Sequence, residues 1–130
     1  MPRIAIVDDD TSHSRALARL LRAAGMEALT FPSAEDFLMA SSLGRTADCL
    51  VLDIQLGGMS GFDLQRHLAA DPDAPPVVFL TAHAEPETIA RAAESGCAYV
   101  RKIEPADRLL AAIREAIARR NPPARSPRSS

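Results

Sequence analysis

Four short pieces of this chain carry groups able to do chemistry, and each lies just past an apolar run. Asp8, Asp9 and Asp10 follow residues 4–7 (Ile-Ala-Ile-Val), and Asp53 follows residues 49–52 (Cys-Leu-Val-Leu). Thr81 follows residues 77–80 (Val-Val-Phe-Leu), and Lys102 comes shortly after residues 97–100. Carboxylates held a few ångströms apart repel by about a few kcal/mol each at an intermediate dielectric. Left alone they would raise one another's pKa values or destabilise the fold. A divalent cation removes the conflict, and hard oxygen ligands favour Mg²⁺, Mn²⁺ or Ca²⁺ over Zn²⁺. Few carboxylates completed by water is the habit of Mg²⁺, often beside a phosphoryl group. Lys102 adds an ammonium and Thr81 a hydroxyl, so the set suits phosphoryl oxygens. A carboxylate within it could act as the nucleophile and form an aspartyl phosphate. Lys102 also stands out by composition, because the other 14 of the 15 basic residues are Arg.

The elements that must gather these groups are legible as alternating strands and helices. Continuous apolar runs at 4–7, 49–52 and 77–80 predict strands buried on both faces. Residues 26–31 and 97–100 read as two further strands. Ala16, Leu17, Leu20, Leu21 and Ala24 give helical periodicity, with Asp10 or Thr11 as N-cap and Gly25 as stop. Ser33 with Asp36 three residues on predicts a capping box opening a helix through about Ser41. Gly57 to Gly61 forms a loop, and Phe62, Leu64, Gln65 and Leu68 continue as a helix. Pro86 suits the first turn of a helix to about Ser95. Pro105 starts a last helix with Leu109, Leu110, Ile113 and Ile117 on one side. Five strands alternating with five helices predict an α/β, doubly wound parallel sheet. All strand C-termini then share one edge, where ligands of such folds bind.

Composition bounds the rest. A chain of 130 residues with 47% apolar and 25% charged residues suits one globular domain. A net charge of −2 argues against a general nucleic-acid or membrane-surface binder. Cys49 and Cys97 read as small buried hydrophobes, not a disulfide. No run approaches the ~20 apolar residues of a membrane span, and no secretion signal opens the chain, so a cytoplasmic protein is expected. Residues 1–120 form the domain. Residues 121–130, rich in Pro, Ser and Arg, read as a disordered tail. His13 and His67 lie on helices and are expected to be exposed.

These pieces, in this order and spacing, resemble the receiver domain of two-component response regulators. The resemblance covers about residues 3–118 and rests on residues 4–10, 51–61, 77–82 and 99–102. Residues 31–38 (Phe-Pro-Ser-Ala-Glu-Asp-Phe-Leu) look like the subgroup related to nitrogen-fixation regulators. The resemblance implies a flavodoxin-like sheet with strand order 2-1-3-4-5. It implies that Asp53 accepts phosphate from a phosphohistidine of a sensor histidine kinase or phosphotransfer protein. Asp9 and Asp53 would bind Mg²⁺ (or Mn²⁺) with the backbone carbonyl of Gln55, and Asp8 would act through water. Lys102 would contact the phosphoryl group. Thr81 and Tyr99 would switch the surface of helix 4, strand 5 and helix 5 toward a downstream protein. Gln55 and His83 would tune dephosphorylation. A stand-alone receiver, monomeric or dimerising on phosphorylation, is the leading expectation: a phosphoacceptor rather than an enzyme with an external substrate.

The chain departs from that family in three places. Ile103 stands where Pro is usual after the Lys, so the preceding bond is either trans with an altered loop or a strained cis bond. The stretch from Gly96 to Lys102 is one residue shorter than usual. Gly57 replaces a Pro in the loop after Asp53. Two other functions stay open on the sequence. One is a degenerate receiver acting as an unphosphorylated interaction module. The other is a Mg²⁺-dependent phosphohydrolase using Asp8 and Asp10 as an Asp-x-Asp pair.

Overall fold

The structure is a computed structural model and describes residues 1–40, 47–56, 58–82 and 85–120. Five strands form one parallel sheet: β1 (Arg3–Val7), β2 (Glu27–Phe31), β3 (Cys49–Asp53), β4 (Val77–Thr81) and β5 (Ala98–Arg101). Their order is β2-β1-β3-β4-β5, as the resemblance implied. Five helices alternate with them among the described residues: α1 (Thr11–Ala23), α2 (Ala34–Met39), α3 (Gly61–Ala69), α4 (Pro86–Ser95) and α5 (Ala106–Arg120).

The apolar runs behave as their composition predicts. Every residue of β3 and of β4 is buried. Alternate residues face opposite layers because side chains alternate along a strand. Ile4, Ile6, Cys49, Val51, Val78, Leu80 and Val100 pack with Leu17 and Leu21 of α1 and Leu109 and Ile113 of α5. Ala5, Val7, Leu50, Leu52, Val77 and Phe79 pack with Phe37 of α2, Phe62 and Leu64 of α3 and Ala92 of α4. Two layers of helices thus sandwich the sheet. Phe62 and Phe79 rings meet at 5.0 Å, and the Arg91 guanidinium of α4 sits 4.3 Å over Phe62, tying α3 to α4.

Two helix starts are set by polar residues expected from the sequence. Asp10, not Thr11, caps α1: its side chain accepts the His13 N–H. Ser33 caps α2 by accepting the Asp36 N–H at 3.0 Å. A complete capping box, unforeseen in the sequence, joins Ser60 and Asp63 at the start of α3. Helix α2 ends at Met39, so the part of its expected span from Ser41 lies outside the described residues. Strand β5 runs one residue later than expected, over Ala98–Arg101, and Lys102 still follows it directly. The expected tail over 121–130 also lies outside the described residues.

Candidate functional site

Asp8 is the residue after β1, Asp53 ends β3, Thr81 ends β4 and Lys102 follows β5. The parallel topology therefore delivers all four to one sheet edge. The Lys102 backbone N–H donates to the Thr81 carbonyl at 2.7 Å, extending the β4–β5 ladder and fixing where the lysine emerges. Lys102 Nζ lies 3.1 Å from Asp53 Oδ2 and 3.7 Å from Asp8 Oδ2. The described chain holds no cis peptide bond, so of the two alternatives at Ile103 the trans one is found. Glu104 organises that loop, accepting the Arg101 backbone N–H at 2.8 Å and the Arg108 side chain at 3.1 Å. Arg101 itself is exposed.

Asp8, Asp9 and Asp53 each offer an oxygen within 4.8 Å of the others. Asp8 is 1% exposed and Asp53 4%, whereas Asp9 faces solvent. Burial raises the Asp53 pKa to about 6, reinforced by the Asp8 charge and opposed by Lys102 and by the Gln55 N–H. Burial also pushes Asp8 upward, but the hydrogen bonds from His13 and the Asp10 N–H, with the charge of Lys102, overcome it and hold Asp8 below the usual carboxylate value. Burial opposes the Lys102 charge, yet its bond to Asp53 prevails and raises the Lys102 pKa. Three clustered carboxylates with hard oxygen donors fit a Mg²⁺-type cation.

The other expected site residues are distributed unevenly. Gln55 lies in the loop after β3, and its N–H donates to Asp53 Oδ1 at 3.0 Å while its side chain is exposed. Thr81 is buried beside the cluster. Tyr99 is on β5, paired with Phe79, and 37% exposed. His83 and Gly57 lie outside the described residues.

His13 departs from the sequence expectation. His13 was expected on an exposed helix face, but its Nδ1 stands 2.5 Å from Asp8 Oδ2, with only 26% of its side chain exposed. The reason is its position. With Asp10 as N-cap, His13 falls in the first turn of α1, where side chains lean back toward the helix N-terminus and hence toward Asp8. The N-cap alternatives in the sequence already held this signal. His67 is exposed as expected. Cys49 is buried with its thiol pushed up to about 12, and neither cysteine is in a disulfide.

The sequence profile of the response regulator receiver domain matches residues 4–114. The chain belongs to the receiver family. Among curated proteins this receiver is 38% identical over 93 residues to nodulation protein W of Bradyrhizobium diazoefficiens, covering 72% of this chain and 40% of that protein. It is 36% identical over 116 residues to the response regulator TmoT of Ectopseudomonas mendocina, covering 88% of this chain and 52% of that one. The receiver thus spans about half the length of the curated relatives it matches. Among solved structures, the response regulator StyR aligns with TM-score 0.81 and 38% identity, over 92% of this chain and 61% of that one. A receiver protein from Burkholderia phymatum aligns with TM-score 0.79 and 35% identity, over 91% and 96% of the two chains. No helix among the described residues of the receiver is long and apolar enough to cross a membrane.

Proposed function

We propose that this receiver takes a phosphoryl group onto Asp53 from a phosphohistidine of a sensor histidine kinase or phosphotransfer protein in the cytoplasm. The observation that carries the reading is the meeting of Asp8, Asp9 and Asp53 within 4.8 Å, with Lys102 Nζ 3.1 Å from Asp53. An Asp53 oxygen attacks phosphorus, the P–N bond to the donor imidazole breaks, and the imidazole keeps that electron pair. Lys102 is placed to follow the charge from the free carboxylate to the phosphoryl oxygens. Asp8, Asp9, Asp53 and the Gln55 carbonyl would hold Mg²⁺ or Mn²⁺. Bound there, the ion supplies positive charge that offsets the carboxylates and the incoming phosphoryl group.

Thr81, buried at the end of β4, would donate its hydroxyl to the new phosphoryl group. Tyr99, half-exposed on the neighbouring strand, would turn inward with it. New charge-assisted hydrogen bonds would bias a two-state surface of α4, β5 and α5 toward a downstream protein. In this reading His83 and the Gln55 side chain govern how readily water removes the phosphate. Residues 1–120 are the receiver, and 121–130 act as a tail or connector.

The phosphohydrolase alternative loses its second acid. Asp10 is exposed and its carboxylate caps α1 at 3.1 Å from the His13 N–H. The test is intact mass after incubation with Mg²⁺ and acetyl phosphate. The proposal expects a gain of one phosphoryl group, absent in Asp53→Asn and absent without the cation. No gain in the wild type would instead make the domain an unphosphorylated interaction module.

A further inference from the structure

His13 has no part in the reading above, yet its ring is fixed against the carboxylate cluster. Its own N–H donates to the Asp10 cap at 3.1 Å, which sets the residue in the first turn of α1. Its Nδ1 lies 2.5 Å from Asp8 Oδ2. An ionised carboxylate has no proton to give, so Nδ1 is the donor. The other Asp8 oxygen, Oδ1, accepts the Asp10 N–H at 2.9 Å. Asp8 is thereby held at both oxygens, although it is 1% exposed and beside another buried carboxylate.

Lys102 shares the same Asp8 oxygen. It stands 3.7 Å from Asp8 Oδ2 and 3.1 Å from Asp53 Oδ2. With the imidazole in place, the ammonium leans to Asp53. Without it, the Lys102 ammonium, 3.7 Å from Asp8 Oδ2, would be drawn toward that oxygen. A carboxylate no longer held from behind would also be free to turn away from a bound cation.

We propose that His13 is a positioning residue of the acidic site: its Nδ1–H holds Asp8 Oδ2, orienting that carboxylate for a divalent cation and leaving Lys102 to Asp53. The proposal rests on the phosphoacceptor reading. A competing role is packing alone, since the His13 ring also borders a groove of about 220 Å³ lined by Ala16, Leu17, Leu20 and Leu109. Packing would be served by any side chain of similar size, whereas positioning needs a donor at the place of Nδ1.

The experiment compares wild type, His13→Leu, His13→Ala and His13→Asn, each as the 130-residue chain. Mg²⁺ is titrated while backbone amide signals of Asp9 and Gln55 are followed by NMR. Selective ¹³C-lysine labelling gives a single Cε signal, because Lys102 is the only lysine. His13→Leu and His13→Ala are expected to weaken Mg²⁺ binding about tenfold and to move the Lys102 signal. His13→Asn, whose Nδ2 stands where Nδ1 does, is expected to restore most of both. The Ala variant preserves the comparison should Leu not fold. Unchanged Mg²⁺ affinity with an unmoved Lys102 signal overturns the role of His13 alone, as does an Asn variant no better than Ala. A wild type that binds no Mg²⁺ overturns the phosphoacceptor reading with it.

Discussion

Lys102 and Asp53 are 49 residues apart in sequence, yet their side chains meet at 3.1 Å. The ammonium also lies 3.7 Å from Asp8, so one positive charge stands between two buried negative ones. That ratio explains the opposite behaviour of the two acids. Asp8 has His13 and the Asp10 N–H as well as Lys102, and stays readily ionised. Asp53 has less to offset its burial, and its pKa rises to about 6.

Removing the Asp53 charge should therefore stabilise the metal-free protein near neutrality. The folded pKa lies above the ordinary carboxylate value, so the stability linked to this proton is fully present below about pH 4 and is lost as pH rises through about 6. Asp53→Asn should exceed wild type by about 1–2 kcal/mol at pH 7.5, after discounting the weakened bond to Lys102. The gap should close toward pH 4. Thermal melts in chelator at both pH values measure it, and equal melting temperatures at pH 7.5 would contradict the repulsion.

Divalent cation should act in the same direction by a different route. Mg²⁺ at a hundred times its dissociation constant stabilises a protein that binds it only when folded by about 2.7 kcal/mol. Asp9→Asn removes an exposed oxygen donor and should lose most of that increment while leaving the metal-free melting temperature nearly unchanged.

Lys102→Met should do the opposite of Asp53→Asn. Two buried carboxylates would face each other without their shared cation, at a cost of about 2 kcal/mol at pH 7.5. The loss should be smaller at pH 5, where Asp53 takes up a proton instead. Urea unfolding at the two pH values would show it, and a penalty independent of pH would assign Lys102 a packing role.

Gly61 is the narrowest point of the site's frame. A Cβ there would stand 2.4 Å from the Asp53 carbonyl oxygen and 2.8 Å from Ile54 Cα, both backbone atoms that cannot swing away. Gly61→Ala should cost about 2 kcal/mol or more and displace Asp53. A urea midpoint equal to wild type would show that the loop gives way.

Cysteine reactivity gives an independent check on packing. Cys49 is buried with a thiol pKa of about 12, so iodoacetamide at pH 8 should spare it and modify half-buried Cys97 first. Peptide mapping reads the order, and early labelling of Cys49 would mean that β3 is not enclosed.

Sheet and site were legible for one reason. Runs such as Cys49–Leu52 and Val77–Leu80 are apolar at every position and short, as strands covered on both faces are, and the polar residue ending each run marks the shared edge. The helix after the loop is legible from Phe62, Leu64 and Leu68, but its capping box of Ser60 and Asp63 is less visible, because Ser60 sits among loop glycines that read as turn. His13 was missed because helical periodicity says which face a residue occupies, not what lies beyond the first turn. The bond before Ile103 was open for a similar reason: local sequence left two geometries, and the ladder from Lys102 to Thr81 accompanies the trans one.

The one-sided placement of chemistry divides the molecule into a committed rim and a tolerant one. At the committed rim, the C-terminal ends of β1, β3, β4 and β5 and the turns after them each contribute a residue to one small volume. At the opposite rim, the chain turns into β2 and β5 through Gly25 and Gly96, both with positive φ and with open space where a side chain would stand. These reversals, and the turn over 70–76, touch none of the carboxylates. Insertions at these turns are therefore expected to leave the acidic cluster intact.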